Sequence, residues 1–352
     1  MLKTTEAVVA VTFCVIAVVT PGSFAGDWTS RTPRQTIPFQ HTDSPATPPV
    51  ISSAAFSPDG RYLATAGDDH QVRVWTATRS ASAEAAAHAS GFASGATHGR
   101  GFMLVNELPN HADWVRAVAF HPRGDMLATA GDDRRVRLWD IPDGRTPTVL
   151  PGTTVGLRAL CFSPDGRRLA IAGFEEQVRV FDVESGRMVR ELPVPGGDVH
   201  GVAFSPDGAQ LAAAGRRGVV RIWRAGDGTL LNDLPSGSRR IRALAYAEDG
   251  SLLAAGGDDG VVRLWNPVSG AMEAELSARP GRVMAISFCG PGRLAVGRST
   301  NTIEVWDLAT RRPEAKLAGH TGSVAALAYE PESGTLVSGG FDCTIRFWDV
   351  QP

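Results

Sequence analysis

Short runs of alternating apolar and polar residues recur along the chain, and one stretch recurs almost unchanged. Residues 127–140, LATAGDDRRVRLWD, contain two such runs joined by a glycine and two aspartates. Copies of this stretch, some close and some looser, occupy residues 63–75, 169–182, 211–223, 253–265, 294–307 and 336–349. The aromatic residues near the ends of the last six copies lie 41 or 42 residues apart. A fixed period of this length is typical of repeat proteins, in which each unit covers its neighbours' apolar faces.

Each repeat carries the pattern of four short strands. An aliphatic run rich in small residues, such as residues 115–120, comes first, and a turn such as Ser163-Pro164-Asp165-Gly166 follows it in several repeats. Proline presets φ at the second turn position, and glycine closes the turn. Two more strands flank the aspartate-bearing turn, and a fourth ends eleven residues after the aromatic residue in repeats two to six. The pattern predicts an all-β fold, a seven-bladed β-propeller of four-stranded blades.

The first repeat is interrupted after its third strand. Trp75 and Leu108 lie 33 residues apart instead of eleven, and the extra residues within 76–100 are mostly Ala, Ser and Gly. Such a composition buries too little apolar surface to order itself. We therefore predict a mobile insertion in blade one over about residues 77–100.

The seventh repeat lacks a fourth strand, because Pro352 follows its third strand closely. A blade without that strand exposes an unpaired edge. Residues 36–39 are a spare strand candidate, and His41 follows them where other repeats carry a histidine turn. We predict that this N-terminal strand completes blade seven and closes the ring. Pro38 is compatible with that role because the fourth strand is an outer edge.

The first 50 residues precede the repeats. Residues 7–19 form an uncharged apolar run after Lys3, and Ser23-Phe24-Ala25 supplies the small residues of a cleavage site. The run is shorter than the about 20 residues that a membrane-spanning helix needs. We interpret residues 1–25 as a signal peptide or a short membrane anchor, with a buried or mis-started N-terminus as the remaining alternative. Residues 26–50 are interpreted as a linker rich in Pro, Thr and Ser. We expect an extracytoplasmic location (secreted, periplasmic or membrane-tethered); the alternative is a cytoplasmic one.

The repeats resemble the WD-repeat β-propeller family over roughly residues 35–352. The family's Trp-Asp pair stands at Trp139-Asp140, Trp306-Asp307 and Trp348-Asp349, and its Gly-His turn at Gly319-His320. In that family a His, a Ser or Thr, an Asp and the Trp of one blade form a hydrogen-bonded chain. The resemblance implies two such tetrads, His111, Thr129, Asp133 and Trp139 in blade two and His320, Ser338, Asp342 and Trp348 in blade seven. A third would join His41, Thr65, Asp69 and Trp75.

The resemblance also implies that partners bind at the rim where the histidine and aspartate turns emerge. Arginine and aromatic residues gather at the matching positions, where they favour contacts with carboxylate or phosphate groups and supply apolar anchors. The candidate partner-binding residues are Trp114, Arg116, Arg158, Phe174, His200, Arg216, Arg240, Arg242, Arg282 and Phe341. We predict that they bind a protein or peptide segment that is acidic or phosphorylated. The alternative is a solvated surface whose arginines pair with nearby aspartates.

Composition and motifs narrow the function further. A net charge of −2 argues against nucleic acid held by bulk electrostatics. The cysteines lack the spacing of a zinc site, and the sequence has no phosphate-cradling or hydrolase motif, so we expect no metal and no cofactor. Aspartate pairs such as Asp132-Asp133 occupy the same turn of different blades and do not converge. An arginine two residues before most of the repeat tryptophans suggests either a nucleic-acid track or, as we expect, structural packing between blades.

These observations favour a monomeric, non-enzymatic scaffold for protein–protein interaction, which contacts a membrane only through its N-terminal segment. One alternative is an extracytoplasmic ligand-binding or sensor propeller. A second is a propeller enzyme with a site at the channel mouth, for which His200 and Asp198 are the candidate nucleus. Fold likeness by itself does not decide among these functions.

Overall fold

The computed structural model describes residues 31–38, 49–78, 101–108, 111–141, 143–144, 147–151, 153–277 and 280–350. Within these ranges the chain forms strands and no helix, and therefore no helix long and apolar enough to cross a membrane. The strands make seven antiparallel four-stranded sheets, one for each repeat. The predicted all-β, seven-bladed β-propeller of four-stranded blades is confirmed.

The four strands of the blades occupy equivalent positions in each repeat. The inner strands are β2 (Ile51–Phe56), β6 (Val115–Phe120), β10 (Leu157–Phe162), β14 (Val199–Phe204), β18 (Ile241–Tyr246), β22 (Val283–Phe288) and β26 (Val324–Glu330). The second strands are β3 (Tyr62–Gly67), β7 (Met126–Gly131), β11 (Arg168–Gly173), β15 (Gln210–Gly215), β19 (Leu253–Gly257), β23 (Arg293–Arg298) and β27 (Thr335–Gly340). The third strands are β4 (Val72–Thr78), β8 (Val136–Asp140), β12 (Gln177–Asp182), β16 (Val219–Arg224), β20 (Val261–Trp265), β24 (Thr302–Asp307) and β28 (Thr344–Asp349). The outer strands are β5 (Gly101–Leu108), β9 (Thr148–Val149), β13 (Met188–Pro193), β17 (Leu230–Pro235), β21 (Met272–Ser277), β25 (Arg312–Ala318) and β1 (Gln35–Pro38).

The hydrophobic core lies between the blades. The tryptophan of a third strand packs against the preceding blade, as Trp139 of blade two does with Ala55 and Val72 of blade one. Trp223 is likewise buried in the cluster that joins blades three and four. Because an inner strand is covered on both faces, all six residues of β6 and of β10 are buried. Each blade therefore depends on its neighbours for the burial of its apolar surface.

The N-terminal strand closes the ring, as the sequence predicts. Strand β1 pairs antiparallel with β28, so that Gln35 faces Phe347 and Pro38 faces Thr344. Arg34 adds a 2.7 Å hydrogen bond from its backbone N–H to the carbonyl of Phe347. The strand begins one residue before the predicted range 36–39, whereas Phe39 and His41 lie outside the described residues.

The interrupted first blade still forms four strands. Strand β4 continues to Thr78, which faces Gly101 of β5, so Ala77 and Thr78 belong to a strand and not to the predicted insertion. The insertion was inferred from the repeat pattern, in which the third strand ends near the tryptophan. In blade one, backbone pairing with β5 extends β4 to Thr78. The remainder of the predicted insertion, residues 79–100, lies outside the described residues.

Hydrogen-bonded side chains link the strands of blades two and seven. In blade seven, Trp348 donates its indole N–H to Ser338 Oγ over 2.7 Å. The Ser338 hydroxyl lies 2.7 Å from His320 Nε2, and His320 Nδ1 lies 2.9 Å from the carboxylate of Asp342. A proton on Nδ1 satisfies the whole chain, because Nε2 then accepts from the serine. Burial opposes the charge on Asp342, but His320 and the hydrogen bonds from Thr321 and Thr344 together outweigh this effect and lower the pKa of Asp342 to about 2.

Blade two repeats the same chain. Trp139 donates to Thr129 Oγ1 over 3.0 Å, and the two ring nitrogens of His111 lie 2.8 Å from Thr129 and 3.0 Å from Asp133. Burial lowers the pKa of His111, which favours the neutral ring that this arrangement needs. In blade one Trp75 donates to Thr65 over 2.9 Å. The histidine proposed for that blade, His41, lies outside the described residues.

Removing residues 1–38 should destabilise the protein more than removing residues 1–30, because only the longer deletion takes away β1. The longer deletion removes several backbone hydrogen bonds, each worth about 1 kcal/mol net, so we expect a loss of about 2–4 kcal/mol. Thermal unfolding of the two truncated chains measures the difference. Equal melting temperatures would show that β1 is dispensable for ring closure.

Replacing Asp342 by alanine should lower stability by about 1–3 kcal/mol, since the variant leaves the buried His320 without its partner. The lowered pKa of Asp342 means that its contribution is present above its ordinary pKa of about 4 and is lost as the pH falls towards 2. Chemical denaturation of wild type and variant between pH 7 and pH 2 follows this change. The exposed Asp140 provides the control variant Asp140→Ala. An unchanged stability of Asp342→Ala at neutral pH contradicts the assignment.

Candidate functional site

A bulge at the second residue of every inner strand shapes the centre of the propeller. In blade two, for example, Val115 pairs with Gly131 and Ala117 with Ala130, which leaves Arg116 as the extra residue. The chains approach closely here: a Cβ added to Gly131 would lie 2.0 Å from the carbonyl oxygen of Trp114. Bulges re-aim a side chain out of the regular pleat. We call the seven bulged residues the bulge ring; they are Ser52, Arg116, Arg158, His200, Arg242, Met284 and Ala325.

The bulge ring has two chemically different halves. Blades two to five contribute Arg116, Arg158, His200 and Arg242, whereas blades six, seven and one contribute Met284, Ala325 and Ser52. All seven residues are buried, with exposed fractions of 0–6%. The half on blades two to five is therefore a cluster of buried cationic and imidazole groups that needs anionic partners.

Three aspartates supply these partners. Asp132 Oδ2 accepts two hydrogen bonds from Arg116, at 2.6 and 3.0 Å. Asp258 is paired with Arg242 and lies 3.9 Å from Arg282. The network thus joins neighbouring blades at the top of the channel.

Asp198 is the most connected of the three aspartates. Its carboxylate oxygens lie 3.4 Å from Arg158, 3.2 Å from His200 and 3.5 Å from Arg240. Its backbone is left-handed, with φ of 53°, and it follows two glycines that also have positive φ. This conformation is uncommon for residues other than glycine and is typical of positions that the surrounding structure constrains.

The charges on Asp198 and on the residues around it follow from burial and from the neighbouring charged groups. Burial would raise the pKa of Asp198, but His200 and the two arginines lower it to about 2. Burial, followed by the charge of Arg116, lowers the pKa of Arg158 to about 10. Burial also lowers the pKa of His200, so this ring is neutral at neutral pH. The positive charge around Asp198 is therefore carried by the arginines and not by His200.

Two arginines of the bulge ring stack on aromatic rings. The guanidinium carbon of Arg116 lies 4.2 Å from the ring centre of Trp114, and that of Arg158 lies 4.0 Å from the ring centre of Phe174. Phe174 remains 45% exposed although it covers Arg158. Such cation–π pairs fix the guanidinium while leaving an aromatic surface open to a partner.

The predicted rim residues divide into three groups. Arg216, Arg282 and Phe174 are exposed, and Trp114 and Arg240 are half-buried. Arg116, Arg158 and Arg242 are buried but belong to the network just described. Five of the six rim arginines lie on blades two to five, and Arg282 lies on the turn that leads into blade six. Together they outnumber the three aspartates of this network by three.

The remaining two predicted residues are His200, which is buried, and Phe341, which is half-buried like Trp114. His200 is 0% exposed, so the prediction that it contacts a partner needs correction: it lies beneath the surface and supports Asp198. Phe341 is half-buried and packs against the core cluster of blades six, seven and one. Sequence position placed both at the channel mouth, but their depth depends on packing between blades.

The arginines that precede the tryptophans form ion pairs within their own blades. Arg137 pairs with Asp133 over 2.7 Å, and Arg221 with Asp233 over 2.6 Å. Arg263 contacts both Asp259 and Glu275, each over 2.7 Å. These pairs tie the third strand to the aspartate turn or to the outer strand, so they account for the series without a nucleic-acid track.

Sequence reasoning missed one residue of the channel end. Arg298 is buried and stands where the other six second strands end in glycine. It pairs with Glu304, which occupies the position of the arginine series in blade six. In blade six, arginine replaces the glycine at the end of the second strand, and glutamate replaces the arginine of the third strand. An alignment of the second and third strands of all seven repeats would have revealed both exchanges.

Family models and curated proteins give a consistent comparison. The family model described as "WD domain, G-beta repeat" matches residues 35–76, 102–140, 186–224, 228–266 and 311–349. The model described as "Anaphase-promoting complex subunit 4 WD40 domain" matches residues 148–197.

Similar curated proteins include the nuclear distribution protein PAC1 of several fungi. The protein from Arthroderma benhamiae is 32% identical over 94 residues, which are 27% of this chain and 14% of that protein. The one from Tuber melanosporum is 32% identical over 99 residues, 28% of this chain and 16% of that protein. The chain thus spans less than a fifth of the length of these relatives. The repeat model alone covers more than half of this chain, and the chain belongs to the WD-repeat family of β-propellers.

Proposed function

We propose that this protein is a non-enzymatic interaction platform whose rim on blades two to five binds an acidic or phosphorylated segment of a partner protein. The observation that carries the proposal is the excess of positive charge at this part of the rim, next to the exposed ring of Phe174. Arginine and aromatic residues together are typical of the energetically important part of an interface. The WD-repeat family supports the general role of the platform, and the rim supports the kind of partner.

The buried arginines prepare the site before a partner arrives. Arg116 is held by Asp132 and by the ring of Trp114, so little side-chain freedom remains to be lost on binding. Its Nη1 atom is buried and forms no hydrogen bond with any residue that the structure describes. Because this atom is buried, a partner cannot reach it, and Arg116 supports the site through its charge and its contact with the Trp114 ring.

The exposed arginines supply the direct contacts in this proposal. Arg216 is exposed and forms no ion pair with the described residues. Among the same residues, the guanidinium of Arg282 has only a long 3.9 Å contact with Asp258. Arg240 is half-exposed beside Asp198. The guanidinium groups offer paired N–H donors that match the geometry of carboxylate and phosphate. Phe174 would anchor an apolar residue of the same segment.

Burial argues against the enzymatic alternative. The candidate nucleus, His200 and Asp198, would have to reach a substrate, yet His200 is 0% exposed. The pKa values of both groups are lowered, so at neutral pH the pair is a neutral ring beside a carboxylate fixed by arginines. A general acid or base must lie within hydrogen-bond reach of the substrate. We therefore place His200 in a supporting role.

Charge reversal at the exposed rim should abolish partner binding. In the variant Arg240→Glu/Arg282→Glu the surplus of positive charge is lost, and we expect recovery of the partner to fall at least tenfold. Affinity purification with mass spectrometry compares it with wild type and with the control Arg187→Glu/Arg224→Glu, which reverses two exposed charges at the other end of blades three and four. Prior phosphatase treatment of the lysate separates phosphorylated from merely acidic partners. Equal recovery by the rim variant and the control would refute the proposed site.

We also propose an extracytoplasmic location, which the apolar run 7–19 and the small residues before residue 26 support. This location would suit an extracytoplasmic sensor as well as a platform. Cell fractionation combined with N-terminal sequencing should find the protein outside the cytoplasm, either shortened by about 25 residues or bound to a membrane. Full-length protein in the cytoplasmic fraction would exclude both forms of the proposal.

A further inference from the structure

The face opposite the rim carries the turns that join the first and second strands. In blades one, three and four this turn is Ser-Pro-Asp-Gly. The proline of each such turn packs against the glycine of the next: a Cβ added to Gly208 would lie 3.5 Å from Cδ of Pro164, and one added to Gly250 would lie 3.7 Å from Cδ of Pro206. After blades one, three and four, proline therefore fills the space between successive turns on this face.

Blade five departs from this rule. Its turn is Ala247-Glu248-Asp249-Gly250, in which Glu248 stands at the position of the proline. The following turn, in blade six, has the sequence Cys289-Gly290-Pro291-Gly292, and a Cβ added to Gly292 would meet no atom within 4 Å. A pocket of about 510 Å³ lies between the two turns. Its size falls within the range of about 300–1,000 Å³ that is usual for sites of small ligands.

The pocket is lined by apolar side chains and by one carboxylate, that of Glu248, which has no partner among the described residues. Leu252, Phe288 and Leu308 contribute the apolar surface. Glu248 is half-buried and forms no hydrogen bond or ion pair with any residue in the described part of the chain. Its neighbour Asp249, in contrast, accepts two hydrogen bonds from Ser251, at 2.7 and 2.9 Å.

None of the described residues that line the pocket is a cation that could neutralise Glu248. Arg293 begins the adjacent strand β23, but its guanidinium is engaged with Glu314 over 2.9 Å. Burial, with a smaller effect of Asp249, raises the pKa of Glu248, as expected of a carboxylate that lacks a counter-ion. A half-buried acid in an apolar pocket is complementary to a positive group on an apolar stem.

We propose that this pocket binds an organic cation, an ammonium or guanidinium group on a short apolar stem, and that Glu248 is its counter-ion. The cation is either a free amine or guanidine or the side chain of a lysine or arginine in a partner chain. The site is independent of the rim, since it lies on the opposite face and selects the opposite charge. It therefore gives the propeller a second ligand at a distance from the first.

Titration with n-butylguanidinium and n-butylammonium tests the proposal, with n-butanol as the neutral probe of similar size. Isothermal titration calorimetry on the whole protein should show saturable binding of the cations and none of the alcohol. Glu248→Gln keeps the size of the side chain and should weaken cation binding at least tenfold. Glu184→Gln removes an exposed acid from the same face of blade three and should leave it unchanged.

The variant Glu248→Pro is the control for misfolding, because it restores the Pro-Asp-Gly turn that blades one, three and four already contain. It should keep the melting temperature of the wild type and lose the binding of both cations. The rim variant Arg240→Glu/Arg282→Glu should bind them with wild-type affinity. Equal binding by wild type and Glu248→Gln, binding of butanol as tight as that of the cations, or no saturable binding at millimolar concentration would each overturn the proposal.

The source of the cation follows from a comparison of n-butylguanidinium with the capped tripeptide acetyl-Gly-Arg-Gly-amide. Tighter binding of the peptide supports a basic side chain of a partner, since backbone contacts then add affinity. Weaker binding of the peptide supports a free small molecule. If neither probe depends on Glu248, the pocket is not a cation site.

Discussion

Packing between neighbouring blades is the constraint on which the rest of the structure depends. A single four-stranded sheet has two apolar faces, and within the described residues the adjacent sheets cover them. The tryptophans of the third strands, such as Trp139 and Trp223, lie in clusters that each join two blades. The largest cluster joins blades six, seven and one, and it includes Ile51 and Trp348. The ring must therefore be closed, and β1 provides the strand that blade seven lacks.

The same constraint separates stability from function. Small residues and bulges allow seven inner strands to meet near the axis, and each bulge turns its residue out of the regular pleat. The scaffold thus presents one position per blade whose residue type differs among the seven repeats. In this chain the positions on blades two to five carry three arginines and a histidine, and the others carry small or apolar residues. The tetrads hold blades two and seven together and leave this ring free to vary.

The sequence predicted the features that arise from local pattern and period. The strands, the turns and the closing strand follow from alternation and from the spacing of the repeats. The residues of the two tetrads follow from the resemblance to the WD-repeat family. The depth of His200 and the position of Asp198 among three neighbours could not be predicted, because both depend on how blades three, four and five pack. The pocket beside Glu248 could not be predicted for a similar reason. The missing proline is visible in the sequence, but the space that it leaves depends on two adjacent turns.

Hydrogen–deuterium exchange with and without the recovered partner locates the binding surface on the propeller. The proposed rim predicts slower exchange at the turns of blades two to five that contain Trp114, Phe174, Asp198 and Arg240, with the outer strands unchanged. Protection confined to the opposite face, or to blades six, seven and one, would contradict it.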